Sequence, residues 1–128
     1  MNKKDDVPLT TNEITEHIIG SAFAVANTLG SGFLEKVYEN ALTHELRKAR
    51  LTAEQQAPVR VFYDSVPVGD FFADILVEKQ VIVELKCVNK ITNLHMAQCL
   101  NYLRATGLRT GLVINFANPK IGIRRFSL

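Results

Sequence analysis

The sequence predicts an α+β fold with α/β-like character, in which helices flank a mixed β-sheet. Three observations carry that expectation: two stretches of helical periodicity open the chain, the period then falls to two over its middle, and a third helical stretch separates the middle strands from a last apolar run. The expected element order is α-α-β-β-β-α-β-(β). With 128 residues the chain is long enough for one domain with its own core. Residues 1–9 read as a flexible polar start and 10–128 as the single domain.

Thr10 followed by Glu13 makes a capping-box pattern, and Ile14, Ile18, Ala22, Val25 and Leu29 then recur at helical spacing until Gly30 offers a left-handed stop. After Gly30-Ser31-Gly32, residues Leu34, Val37, Tyr38, Ala41, Leu42, Leu46 and Ala49 define a second amphipathic helix with Glu35 in its first turn. From Pro58 the pattern alternates: Val59, Val61 and Tyr63 against Arg60, Phe62 and Asp64, with Ser65-Val66-Pro67 breaking the run. Phe71 to Val77 and Val81 to Cys87 read as the next two strands, so three strands form an antiparallel meander. Asn93 caps a helix from about Leu94 to Ala105, which Gly107 ends. Thr110 to Phe116 then reads as a fully buried strand, able to pair in parallel with its predecessor across the helical crossover. Asn118-Pro119 turns the chain toward Ile121, Ile123 and Phe126, a last edge strand.

An apolar content of 47% with 22% charged residues excludes disorder and a coiled coil. The net charge of +2 permits a polyanionic partner without pointing to one. Cys87 and Cys99 have no histidine or cysteine neighbours at zinc spacing and read as reduced, buried thiols. No apolar run approaches the roughly 20 residues that span a bilayer, and no signal core follows the start, so a cytoplasmic location is expected.

The most informative feature lies on the second and third strands. A hairpin centred on Lys79 puts Asp74 directly opposite Glu84, where side chains stand roughly 4.5–5.5 Å apart at Cβ and like charges repel. Side chains two apart share a face, so Glu84 and Lys86 project together while Val83 and Leu85 go to the buried side. Two accounts are open at this stage. One is an ion-pair cluster on a solvated face, with Lys86 compensating both acids. The other is a divalent cation between the acids: two oxygen ligands completed by carbonyls and waters suit Mg²⁺ or Mn²⁺. Such an ion polarises a phosphoryl oxygen and acidifies a bound water, and Lys86 would then orient that water or offset charge in the transition state. The reaction expected from the second account is metal-assisted phosphodiester hydrolysis.

Other polar residues have both plain and functional readings. Glu35 fits the helix dipole at its position and equally fits a ligand or water-positioning role. His95, Gln98 and Tyr102 share one helix face, a polar stripe that is either solvated or turned to substrate, with His95 read as a surface or capping histidine rather than a ligand. Cys87 has no partner that would make it a nucleophile. Arg47, Lys48 and Arg50 end the second helix, and Lys120, Arg124 and Arg125 lie near the end of the sequence; both clusters are weak pointers to phosphate.

Asp74 followed by Glu84-Leu85-Lys86 on the next strand resembles the active-site signature of the PD-(D/E)XK nuclease superfamily. Gly32-Phe33-Leu34-Glu35-Lys36-Val37-Tyr38 is similar to the G-x-x-E-x-x-Y string of the bacterial GxxExxY protein family, which is grouped with these nucleases. Gln98-x-x-x-Tyr102 resembles the motif that follows the E-x-K strand in the recombination-exonuclease branch of the superfamily. The resemblance runs from about Asn12 to Phe126. It implies a restriction-endonuclease-like core and a metal-dependent nuclease acting on DNA, with Mg²⁺ or Mn²⁺ as cofactor. Asp74, Glu84 and Glu35 would be metal ligands, Lys86 the catalytic lysine, and Gln98 and Tyr102 substrate-positioning residues. Ala73 stands where the superfamily has proline, and Glu35 stands in for an upstream histidine that often joins the metal site in the Gln-Tyr branch. Two further readings stay open: a catalytically silent nucleic-acid-binding or protein-interaction module with a nuclease-like fold, and a homodimer whose surface is complete only when paired.

Overall fold

A computed structural model describes residues 7–128. The expectation for residues 1–6 lies outside the described residues, and Leu9 already packs against the core. Eight elements follow in order: α1 (Thr11–Leu29), α2 (Glu35–Lys48), β1 (Ala53–Tyr63), β2 (Val66–Val77), β3 (Val81–Lys86), α3 (Asn93–Thr106), β4 (Thr110–Asn115) and β5 (Gly122–Ser127). They form the expected α+β arrangement, a mixed sheet in the order β1-β2-β3-β4-β5, antiparallel except where β3 and β4 run parallel.

The helices form where the sequence placed them. Thr10 Oγ1 accepts the Glu13 N–H while the Glu13 carboxylate accepts the Thr10 N–H, and α1 ends at Gly30 with φ 71°. The α3 N-cap is Thr92 rather than Asn93, and its capping-box partner is His95, whose Nδ1 accepts the Thr92 N–H at 3.0 Å. A hydroxyl one residue upstream caps better because its oxygen reaches the His95 N–H. His95 is thereby committed to the helix start.

The first two strands are longer than the alternation implied. β1 begins at Ala53 despite the polar Glu54-Gln55-Gln56, and Ser65-Val66-Pro67 does not break the hairpin. Its turn is Asp64-Ser65, both left-handed at φ 51° and 62°, between the paired Tyr63 and Val66. Two consecutive positive-φ residues match the twist of a two-residue hairpin, so Pro67 sits inside the strand that follows.

Two cores lie on the two faces of the sheet. Ile14, Ile18, Tyr38, Leu42 and Leu46 of α1 and α2 meet Ile75, Val77, Val81, Val83 and Leu85 on one side. On the other, Cys99 and Leu103 of α3 meet Ala57, Val59, Ala73, Ile82, Val113 and Phe126. Each buried Ile or Leu contributes about 1.5–3 kcal/mol. β3 is covered on both faces and is apolar except at Glu84 and Lys86. Gly111 is required by packing: a Cβ there would run into the Phe126 ring.

One irregularity bears on function. Ala73 packs in the α3 core while Ile75 and Val77, of the same parity, pack against α1 and α2; on β1, Ala53 and the pair Ala57–Val59 divide the same way. The hairpin therefore exchanges faces where Gln56 faces Asp74, and Gln56 takes φ 51°. The far half of the hairpin is thus free to curl alongside α3.

Candidate active site

β2 and β3 pair as Ile75↔Val83, Leu76↔Ile82 and Val77↔Val81, a register that carries Asp74 opposite Glu84 at the next step. The turn that fixes this register is clasped from outside. Glu78 Oε2 accepts both the N–H and the hydroxyl of Thr52 at 2.7 Å, and the Glu78 N–H donates to the Thr52 carbonyl. At Asp74 the backbone ladder stops and the side chain takes over, Oδ2 accepting the Leu85 N–H at 2.8 Å. That bond orients the carboxylate.

Glu84 is only 6% exposed, and its Oε1 is buried with no hydrogen-bond partner among the described residues. Burial, then the Asp74 charge and contact with the Asp74 side chain, push its carboxyl up to about 9, against the opposing pull of Lys86. A carboxyl of this kind is expensive to keep in a core strand unless something binds it. The solvated ion-pair cluster therefore does not describe this site: Glu84 is buried, and neither acid makes an ion pair with Lys86 among the described residues.

The orphaned Oε1 and the oriented Asp74 form an all-oxygen donor pair that fits a hard divalent cation. Mg²⁺ is commonly held by one or two carboxylates, with waters and substrate phosphates completing its octahedron. Among the described residues no group of three or more His, Cys, Asp or Glu side chains is gathered closely enough to hold an ion. Glu35 is exposed at the first turn of α2, yet it belongs to the same electrostatic neighbourhood. Partial burial raises its pKa, Lys86 opposes that rise, and Asp74 and Glu39 add to it.

Its position is set by the other residues of the G-x-x-E-x-x-Y string. Gly32 has φ 111°, which only glycine adopts without strain. The fully buried Tyr38 donates its hydroxyl proton to the Gly30 carbonyl at 2.6 Å and accepts the Phe33 N–H at 3.2 Å. Its ring stacks on Phe116 at 4.5 Å, and the Phe116 N–H donates to the Lys86 carbonyl. Tyr38 thus ties the start of α2 to the end of β3, the strand that carries Glu84 and Lys86.

Three supporting residues escaped the sequence reading. Asn115 is buried; its amide donates to the Val88 carbonyl at 2.8 Å and its Oδ1 accepts the N–H groups of Val88 and Ala117, fixing the chain just beyond Lys86. Glu39, also buried, accepts from Lys36 and from the amides of Gln55 and Gln56, anchoring the left-handed Gln56 that faces Asp74. A glutamate and an asparagine at core positions were the available signals. Thr52 gave none.

The α3 stripe divides. His95 is the cap described above. Tyr102 is half-buried and packs its ring against Phe71 at 5.9 Å, and its phenol is raised by burial and then by the charge of Glu84. Gln98 is exposed beside it on the wall of a groove. Cys99 points into the α3 core, where burial and then Glu84 push its thiol up to about 12, and Cys87 is likewise raised, first by burial. The sequence reading of two buried thiols holds for Cys99, whereas Cys87 is only half-buried; both shifts favour the protonated thiol.

A mixed sheet with helices on both faces and acids from neighbouring strands at its centre defines the restriction-endonuclease-like class of α+β folds. The profile of the PD-(D/E)XK nuclease superfamily matches residues 12–126, and the chain belongs to that superfamily. Among solved structures, the crystal structure of SSO0001 is similar at a TM-score of 0.57 and 18% identity, a likeness of fold alone. The alignment covers 91% of this chain and 58% of that one, so the chain spans little more than half the length of that protein. No curated protein matches the sequence. Among the described residues no helix is long and apolar enough to cross a membrane.

Proposed function

We propose that the chain is a metal-dependent nuclease that hydrolyses phosphodiester bonds in DNA, with Asp74 and Glu84 holding Mg²⁺ or Mn²⁺. The single observation that carries this reading is the buried, unpartnered Oε1 of Glu84 facing Asp74 on a strand that also bears Lys86. When bound, the ion supplies Lewis-acid polarisation of a phosphoryl oxygen and a more acidic water. The residues of the chain do the rest. Asp74, held by the Leu85 N–H, and Glu84, fixed by burial, set the donor geometry. Lys86 is half-exposed on the Glu84 face and free of any ion pair among the described residues, so its Nζ is available to orient the attacking water or stabilise charge on the phosphoryl group. Glu35 at the mouth of the site positions water rather than contributing a third carboxylate to the ion. Gln98 and Tyr102 place the substrate strand.

A silent binding module with this fold would have no use for the unpartnered buried Oε1 of Glu84, which favours the enzyme. The test is incubation of labelled DNA and RNA with the protein in Mn²⁺, in Mg²⁺ and in EDTA. We expect metal-dependent cleavage of DNA that is lost in Asp74→Ala, Glu84→Ala and Lys86→Ala. Full cleavage by Lys86→Ala would contradict the role given to the lysine. A protein that binds metal and nucleic acid but cleaves neither polymer would be the module.

A further inference from the structure

The face exchange at Gln56 and Asp74 brings the far half of the β1–β2 hairpin alongside α3 and leaves between them a groove of about 680 Å³, within the usual range for ligand sites. Its hairpin wall carries the rings of Phe62 and Phe71, and its helix wall carries Gln98, Asn101, Tyr102 and Arg104. Phe62 is 58% exposed and Phe71 is 47% exposed, large apolar areas for side chains with no covering element. Tyr102 joins the two walls, its ring meeting Phe71 at 5.9 Å across the groove. The helix that forms one wall also covers the sheet face on which Glu84 stands, through Cys99 and Leu103 packed with Ile82, so the groove and the acids lie on the same side of the sheet.

We infer that this groove seats unpaired nucleobases of a single strand whose phosphate reaches Asp74 and Glu84, so that single-stranded nucleic acid is the preferred substrate class. The inference rests on the nuclease reading and extends it. Three chemistries that such a strand requires meet in one place. Aromatic faces accept the planes of bases regardless of sequence, amides match base edges, and a guanidinium matches a phosphate. Phe62, Phe71 and Tyr102 supply the first, Gln98 and Asn101 the second, and Arg104, which donates to Asn101 Oδ1 at 2.9 Å, the third. A second copy of this chain fits less well, since an apolar face laid on the groove would leave the amides and the guanidinium without acceptors. In a duplex the base planes are already stacked on one another, and rings lining a groove cannot reach them.

The test is fluorescence anisotropy of the full chain in EDTA, with labelled oligothymidylate, oligouridylate and a duplex as probes. Wild type should bind the single strands more tightly than the duplex, and whichever of the first two binds better identifies the polymer. Phe71→Ala should lose about five-fold or more of the single-strand affinity, the lower end of one base-stacking contact, with little change on the duplex. Phe62→Ala should move in the same direction, Phe71→Trp should restore binding, and an oligothymidylate with abasic sites should bind wild type as weakly as the intact strand binds Phe71→Ala. Equal binding by wild type and Phe71→Ala would overturn the inference. So would an equal loss on duplex and single strand, or a wild-type dimer that Phe71→Ala converts to a monomer without altering strand affinity. Cleavage in Mn²⁺ is scored separately. Binding through the groove without cleavage defeats the nuclease reading alone, and cleavage indifferent to Phe71 defeats the groove alone.

Discussion

Replacing Glu84 with glutamine should make the metal-free protein more stable at neutral pH, and the gain should grow as pH rises. The carboxyl of Glu84 shifts from 4.5 to about 9 on folding, so between those values the folded state holds one proton that the unfolded chain has released. Stability therefore falls with pH across that window, by about 1.4 kcal/mol per pH unit for one such group. The contribution is fully present below 4.5 and is lost progressively as pH climbs through about 9. At pH 7.5, roughly three units above the unfolded value, wild type has given up about 4 kcal/mol that Glu84→Gln retains. Because the side chain is only 6% exposed, solvent screening does little to reduce that figure. Urea unfolding of both proteins in EDTA, followed by far-UV circular dichroism from pH 5 to pH 8, reads it directly. The two should agree near pH 5 and separate steadily above it. Parallel stability profiles would refute the reasoning, since they would mean that Glu84 titrates normally and is not the strained, buried carboxyl on which the metal site depends.

Other substitutions test the supports around the site. Tyr38→Phe keeps the stack on Phe116 but loses both hydroxyl bonds, and should cost about 1–2 kcal/mol in urea unfolding while slowing cleavage through a misplaced α2 start. Asn115→Ala frees Val88 and Ala117 and leaves the Val88 carbonyl and two N–H groups unpaired, so a loss of about 2–3 kcal/mol is expected by the same measurement. Gly111→Ala drives a methyl group into the Phe126 ring and should lower stability by about 1–3 kcal/mol, with a companion Phe126→Leu recovering part of the loss in thermal unfolding.

Much of this was legible from one sequence because period-two and period-3.6 patterns report buried faces directly. The α1 cap at Thr10, the parallel placement of β4 and the hairpin register that opposes Asp74 to Glu84 all follow from local chemistry. Where reading failed, long-range contacts outweighed local preference. Glu54-Gln55-Gln56 looks like loop, yet Glu39 collects the amides of Gln55 and Gln56 and holds them in β1. Pro67 looks like a breaker, yet the left-handed pair Asp64-Ser65 completes the turn before it. The face exchange beside Asp74 was invisible because no glycine marks it; a glutamine adopts the left-handed conformation instead. For the same reason strict alternation could not disclose the groove beside α3. Glu35 was picked out by its place in a helix's first turn, but its seating beside β3 was not legible, because that depends on how Tyr38 ties the start of α2 to Phe116 and so to the end of β3.

The claim from which all else follows is that Asp74 and Glu84 together hold one divalent cation. Isothermal titration calorimetry with Mn²⁺ at pH 7.5, repeated in buffers of different ionisation enthalpy, tests it most directly. The account predicts one ion bound per chain, release of about one proton from Glu84 as it binds, and loss of binding in Asp74→Ala and in Glu84→Ala. Tight binding that survives both substitutions, or binding without proton release, would contradict it.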